Sequence, residues 1–112
     1  GVLLGAVEHD PKNGEAWLAL ANSLVSHADG TISPAASFAF RKAAQAAPQE
    51  PGPPFFLGLA LAQSGQFAQA RRLWADLLAR TPADAPWRGD LEDKLRRLDA
   101  LIVQQEAAAQ QR

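Results

Sequence analysis

The stretch Pro53-Pro54-Phe55-Phe56-Leu57-Gly58-Leu59-Ala60-Leu61-Ala62-Gln63-Ser64-Gly65-Gln66-Phe67-Ala68-Gln69-Ala70-Arg71-Arg72-Leu73-Trp74-Ala75-Asp76-Leu77-Leu78-Ala79-Arg80-Thr81-Pro82 decides the fold. Proline is tolerated in the first turn of a helix, so Pro53-Pro54 open one. Gly65 closes it, because glycine takes the left-handed conformation of a helix C-terminus without a steric penalty. Phe67, Ala70, Leu73, Trp74 and Leu77 then recur at spacings of three and four, the apolar face of a second helix. Thr81-Pro82 stops it, since the residue before proline is driven out of the helical region. The stretch predicts two helices joined by a tight turn.

Working outward, the same punctuation recurs. Pro11, Pro48 and Pro82 are 37 and 34 residues apart, the period of helix–turn–helix repeats. Residues 51–84 form one unit and residues 14–50 another. In the earlier unit Trp17, Leu20, Ala21 and Leu24 lie on the first helix, and Ala36, Phe40 and Ala43 on the second. Between them Asp29-Gly30 signals a turn, and Ser33-Pro34 reads as an N-cap followed by the first helical residue. Residues 1–11, with Leu3, Ala6 and Pro11 in matching places, read as the tail of a preceding helix. With Gly1 rather than Met at the start, this gives the expectation that the array continues upstream. Residues 85–103 read as a last helix capped by Asp84. Trp87, Leu91, Leu95, Leu98 and Ile102 form its apolar stripe, and Asp93, Arg96, Arg97 and Asp99 its charged side. Residues 104–112 have no apolar face and are expected either to extend the helix and fray or to be disordered.

Composition agrees. Among 112 residues there are 24 Ala and 15 Leu, against eight Val, Ile and Thr together. Ala and Leu favour helices, and β-branched residues favour strands, so the class is all-α. One domain fits this length. The small residues Ala21, Ala36, Ala43, Gly58 and Ala70 permit close helix crossings, and Trp17, Phe40, Trp74 and Trp87 fill the space between units.

The sequence offers little for catalysis. There is no Cys, which removes disulfides, zinc knuckles, iron–sulfur clusters and a thiol nucleophile. His9 and His27 belong to no metal-binding pair; His9 suits a helix C-terminus, and His27 is expected in a turn. No phosphate-binding glycine loop occurs, Ser23, Ser26, Ser37 and Ser64 have no identifiable base, and Asp90 and Asp93 read as a solvated face. The chain is therefore read as a non-enzyme with no cofactor, no metal and no small-molecule substrate. The net charge is −1 and the basic doublets are scattered, unlike the footprint of a nucleic-acid binder. No apolar run approaches the ~18–20 residues needed to cross a bilayer.

These residues resemble the tetratricopeptide (TPR) family. Residues 51–84 match its pattern with Leu57, Gly58, Leu61, Gly65, Ala70, Trp74, Leu77 and Pro82, departing at Pro54, where the family usually has Trp. Residues 14–50 match with Trp17, Leu20, Ala21, Leu24, Ala36, Phe40, Ala43 and Pro48, with an inter-helix loop about three residues longer than the family norm. The resemblance implies a helix–turn–helix solenoid of two full repeats, flanked by the N-terminal helix remnant and the C-terminal capping helix. It also implies a concave groove lined by the first helix of each unit. The corresponding places are Glu15, Leu18, Ala19, Asn22, Val25 and Ser26, then Gly52, Phe55, Phe56, Leu59, Ala62 and Gln63. Adjacent helical residues point about 100° apart, so at least one of Phe55 and Phe56 is expected in the groove. Family members that clamp a C-terminal carboxylate use Lys, Asn and Arg at these places. Here only Asn22 matches, and Leu18, Phe55 and Phe56 replace the polar clamp. The groove thus reads as a site for an apolar or amphipathic segment, with Glu15, Asp90, Asp93 and Arg97 as rim charges.

A narrower resemblance rests on two stretches. One is Glu15-Ala16-Trp17-Leu18-Ala19-Leu20-Ala21-Asn22-Ser23-Leu24 with Thr31-Ile32-Ser33-Pro34-Ala35-Ala36. The other is Phe55-Phe56-Leu57-Gly58-Leu59-Ala60-Leu61 with Arg72-Leu73-Trp74 and Thr81-Pro82-Ala83-Asp84-Ala85-Pro86-Trp87-Arg88. These look like the TPR subunits of cytochrome c biogenesis, of the CcmI/CycH type and the related NrfG. This resemblance implies a periplasmic domain of an inner-membrane-anchored bacterial protein, the anchor lying in segments absent from this chain. Its implied partner is the C-terminal segment of apocytochrome c, held for haem attachment, or the tail of a haem-lyase or maturation subunit. The competing expectation is an assembly scaffold that self-associates, for instance through Leu3, Leu4 and Val7.

Overall fold

Local signals set where each helix begins and ends. The computed structural model describes residues 13–111 and contains five helices: α1 (Gly14–His27), α2 (Pro34–Ala46), α3 (Gly52–Gln63), α4 (Phe67–Ala79) and α5 (Arg88–Gln110). No strand occurs among the described residues, so the all-α class stands. The tail-like reading of residues 1–11, His9 and the proposed contacts of Leu3, Leu4 and Val7 lie outside the described residues.

Asn13 caps α1, its Oδ1 accepting from the Ala16 amide at 3.1 Å. Ser33 caps α2 in the same way, its Oγ accepting from the Ala36 amide at 3.1 Å, with Pro34 in the first turn. Each bond satisfies an amide that has no intrahelical partner. Between these helices Asp29 and Gly30 both adopt positive φ, 55° and 85°, and the Thr31 amide donates back to the Ala28 carbonyl at 3.1 Å. That is the turn for which Asp-Gly is suited. Helix α3 is closed by Gly65, φ 82°, two residues beyond its last residue, with the Gln66 amide donating to the Leu61 carbonyl and the Gly65 amide to the Ala62 carbonyl. The pair of bonds closes a glycine C-cap.

The last helix differs from the sequence expectation at its start. It starts at Arg88, and the residue at its N-cap is Trp87 rather than Asp84. Residues 82–88 form successive turns instead, the Ala85 amide donating to Pro82 and the Arg88 amide to Ala85. The Arg88 guanidinium explains the placement. Its Nη1 donates to the carbonyls of Thr81 at 2.7 Å and Leu78 at 3.3 Å, which ties the start of α5 to the end of α4. At the other end residues 104–110 extend the helix, the first of the two alternatives for the tail, through a solvent-exposed Ala- and Gln-rich segment of good helix formers. His27 is the last residue of α1 rather than a turn residue.

Consecutive helices pack as hairpins: α1 on α2, α3 on α4, and α5 on α4. The α3–α4 crossing is tight. A Cβ at Gly58 would stand 2.1 Å from Trp74 Nε1, so only glycine admits the indole there. The same Nε1 donates to the Phe55 carbonyl at 3.1 Å. The α1–α2 crossing uses Ala21, Ala36, Ala39 and Ala43, all fully buried, around Trp17 and Phe40. Two apolar clusters result. The first gathers Trp17, Val25, Phe40 and the alanines, and the second Ala70, Trp74, Leu77, Leu91 and Leu98. Helix α3 contributes to both, through Ala60 and Leu57 on one side and Phe55, Leu59 and Leu61 on the other. The extents are 51 × 37 × 16 Å, a slab two helix layers thick.

Candidate functional site

Helices α1 and α3 run side by side in the same direction, and a crevice lies between them. At the end where both helices begin it is bounded by Asn13, Gly14, Glu15 and Leu18 on one side and Glu50, Gly52 and Pro53 on the other, with Ala46 and Ala47 from the end of α2. This reach encloses about 570 Å³. One turn further along both helices the lining passes to Asn22, Val25, Ser26, Asp29 and Gly30 opposite Phe56, Leu59, Ala60 and Gln63, a reach of about 540 Å³. The two helices approach closely within the first reach, where a Cβ at Gly52 would lie 3.1 Å from Leu18 Cδ2. From Gly14 to Ser26 the crevice follows α1 for roughly 18 Å, at ~1.5 Å of rise per residue.

The neighbouring phenylalanines diverge. Phe56 is 37% exposed and lines the α1–α3 crevice. Phe55 turns towards α4 and α5. Its ring stacks on Trp74 with centroids 5.6 Å apart and planes at 14°, and meets Phe56 edge-on at 5.3 Å. It lines a separate, smaller cavity of about 200 Å³ with Pro51, Gly52, Leu77, Trp87, Asp90 and Leu91. Lys94 Nζ lies 5.9 Å from the Phe55 ring and pairs with Asp90 at 2.8 Å.

Of the residues that sequence alone assigns to a groove, Glu15, Leu18, Asn22, Val25, Phe56, Leu59 and Gln63 meet in the α1–α3 crevice. Val25 is largely buried in its floor. Ala19 is half-buried on α1 and lines neither reach, and Phe55 belongs to the adjacent α3–α5 pocket. Asp93 and Arg97 stand exposed on α5 and line no part of the crevice, Asp93 being paired with Arg96. The pattern of groove-facing places misses Asp29, Gly30, Glu50 and Pro53, because three of these precede or follow a helix and repeat spacing is defined only within one. The Asp-Gly turn signal marks the first two, but says nothing of which helix they lean towards.

No group of three or more His, Asp or Glu side chains placed to hold a metal occurs among the described residues. No helix among them is long and apolar enough to cross a membrane. Every buried side-chain nitrogen or oxygen among them has a partner. What the geometry offers is shape and apolar surface: an all-helical layered protein with an open crevice between parallel helices.

No protein-family model and no solved structure matches the chain. Two curated proteins are similar in sequence. The cytochrome c-type biogenesis protein CycH of Bradyrhizobium diazoefficiens is 35% identical over 79 residues, which is 70% of this chain and 21% of that protein. The protein of the same name from Rhizobium meliloti is 39% identical over 67 residues, 60% of this chain and 18% of that protein. The chain thus spans about a fifth of the length of the curated relatives it matches.

Proposed function

We propose that this chain is a tetratricopeptide-type binding module of a cytochrome c biogenesis factor. It holds an amphipathic segment, the C-terminal part of an apocytochrome c or the tail of a haem-lyase or maturation subunit, in the α1–α3 crevice. The observation that carries this reading is the crevice itself, with Leu18, Val25, Phe56 and Leu59 presented between two parallel helices. Similarity to the CycH proteins supplies the biological setting. The hairpin order α1–α2, α3–α4 and the tight Gly58–Trp74 crossing support the repeat architecture, with residues 14–50 and 51–84 as its two units and α5 as its cap. The role is non-enzymatic, and the place of action is the periplasmic side of an inner membrane, with anchoring left to other parts of the protein.

Calorimetric titration with C-terminal helix peptides of c-type apocytochromes tests this, with the folded holocytochrome as control. The peptides bind and the holocytochrome does not. Phe56→Asp abolishes binding while the far-UV circular dichroism is unchanged. Absence of peptide binding, or full affinity in Phe56→Asp, refutes the proposal. The scaffold reading draws on Leu101 and Val103, 38% and 63% exposed on the protruding part of α5. A chain that stays monomeric in light scattering at high concentration counts against it.

A further inference from the structure

The rim of the crevice narrows the chemistry of its occupant, given the reading above that a peptide segment lies there. The floor is apolar, from Leu18, Val25, Phe56 and Leu59. Among the described residues the ionisable lining is of one sign. Glu15 and Glu50 border one reach, Asp29 borders the other, and Asp90 stands in the adjoining α3–α5 pocket. Among the described residues no Lys or Arg lines any of these three cavities. All four carboxylates belong to exposed residues.

Helix chemistry accounts for only part of this. Glu15 and Asp90 sit in the first turns of α1 and α5, where a carboxylate offsets the positive end of the helix dipole. Asp90 is further satisfied by Lys94. Glu50 and Asp29 lie outside any helix, and no ion pair among the described residues involves Glu15, Asp29 or Glu50. The three basic doublets lie on helices that do not form the crevice walls, Arg41 and Lys42 on α2, Arg71 and Arg72 on α4, and Arg96 and Arg97 on α5. The charge asymmetry is local to the crevice, which among the described residues has carboxylates without an ion-pair partner at both ends and no cation in its lining.

We infer that the crevice takes a basic amphipathic helix, one whose apolar face is flanked by Lys or Arg. Its length is set by the crevice at roughly 12 residues. Lysine or arginine at both ends meets Glu15 and Glu50 at the one and Asp29 at the other. An acidic segment meets like charge at both. Exposed pairs of this kind each contribute a modest factor, about two- to fivefold in affinity. Their joint effect falls on partner choice, association rate and salt dependence.

Three synthetic peptides test this. They share one length and one apolar helical face and carry Lys, Gln or Glu at the flanking positions. Each is titrated against the full chain by fluorescence anisotropy at low and high NaCl, with Phe56→Asp as the crevice control. The Lys peptide binds at least about tenfold more tightly than the Glu peptide, and the gap closes at high salt. The triple variant Glu15→Gln, Asp29→Asn, Glu50→Gln loses about tenfold for the Lys peptide and not for the Gln peptide. Asn accepts the positive φ of position 29, so the variant keeps the turn. Equal affinities for the three peptides, all abolished by Phe56→Asp, overturn the charge inference and leave the crevice reading standing. No binding by any peptide, or binding indifferent to Phe56→Asp, overturns both.

Discussion

Replacing Gly58 by alanine puts a methyl group where the Trp74 indole lies. The added Cβ would stand 2.1 Å from Nε1 and 2.6 Å from both Cδ1 and Cε2. Carbon contacts settle near ~3.5–4.0 Å, so the ring must retreat by more than about 1 Å. It has nowhere to go: Trp74 is 2% exposed, stacked on Phe55 and bonded to the Phe55 carbonyl. Overpacking costs ~1–3 kcal/mol. Breaking the indole hydrogen bond in a buried setting costs another ~1–3 kcal/mol. Alanine returns ~1 kcal/mol of helix propensity. The balance is a loss of about 3 kcal/mol, a substantial share of the ~5–15 kcal/mol that stabilises a domain. The Tm should fall by roughly 10–20 °C. Chemical denaturation followed by circular dichroism and tryptophan fluorescence measures it. Gly89→Ala is the matched control, because no atom lies within 4 Å of a Cβ built there, and that variant should gain ~0.5–1 kcal/mol. A Gly58→Ala chain as stable as the wild type would refute the close-crossing argument. In a Trp74→Leu background the same change should lose most of its cost, since the two residues then no longer collide.

Other consequences are equally open to measurement. Ser33→Ala removes the cap on α2 and should cost ~1 kcal/mol in denaturant titrations, and Ser33→Gly less. Phe55→Ala should destabilise the fold by about 2 kcal/mol or more through loss of the Trp74 stack, whereas Phe56→Ala should cost under ~1 kcal/mol and act on binding instead. Arg88→Ala frees the start of α5 from the Leu78 and Thr81 carbonyls, and amide hydrogen exchange in α5 should accelerate more than in α1 or α2.

The fold was legible wherever one residue does one local job. Pro34 after Ser33, Gly65 after Gln63-Ser64 and the Phe67-to-Leu77 spacing each place a boundary or a face without reference to the rest of the chain. The start of α5 was not legible, because Asp84 has the chemistry of a cap while the deciding contact is Arg88 reaching back to Leu78 and Thr81. That contact exists only after α4 has folded. The candidate crevice shows the same division. Helical spacing brings Leu18, Asn22, Val25, Phe56, Leu59 and Gln63 onto facing surfaces. Spacing alone leaves the Phe55/Phe56 choice undecided, since either ring suits either neighbour. The Gly58 gap settles it by admitting Trp74 beside Phe55. Helical spacing does not place Glu50 and Asp29 at the crevice, because loop residues carry no periodicity.

The division of the interior into two clusters with α3 shared between them bears on how the chain comes apart. If the two hairpins stack as repeats, as proposed above, they unfold as a coupled series, each stabilised by its own core and by the seam to the next. Here the seam between the clusters runs through α3, with Arg80 Nη1 donating to the Pro48 carbonyl at 3.1 Å as an added tie. A segment lying along both α1 and α3 spans that seam, because α1 belongs wholly to the first cluster while α3 reaches the second. Occupancy therefore strengthens the weakest joint rather than either core. Two partly separated melting steps in the empty chain should merge into one when the crevice is filled.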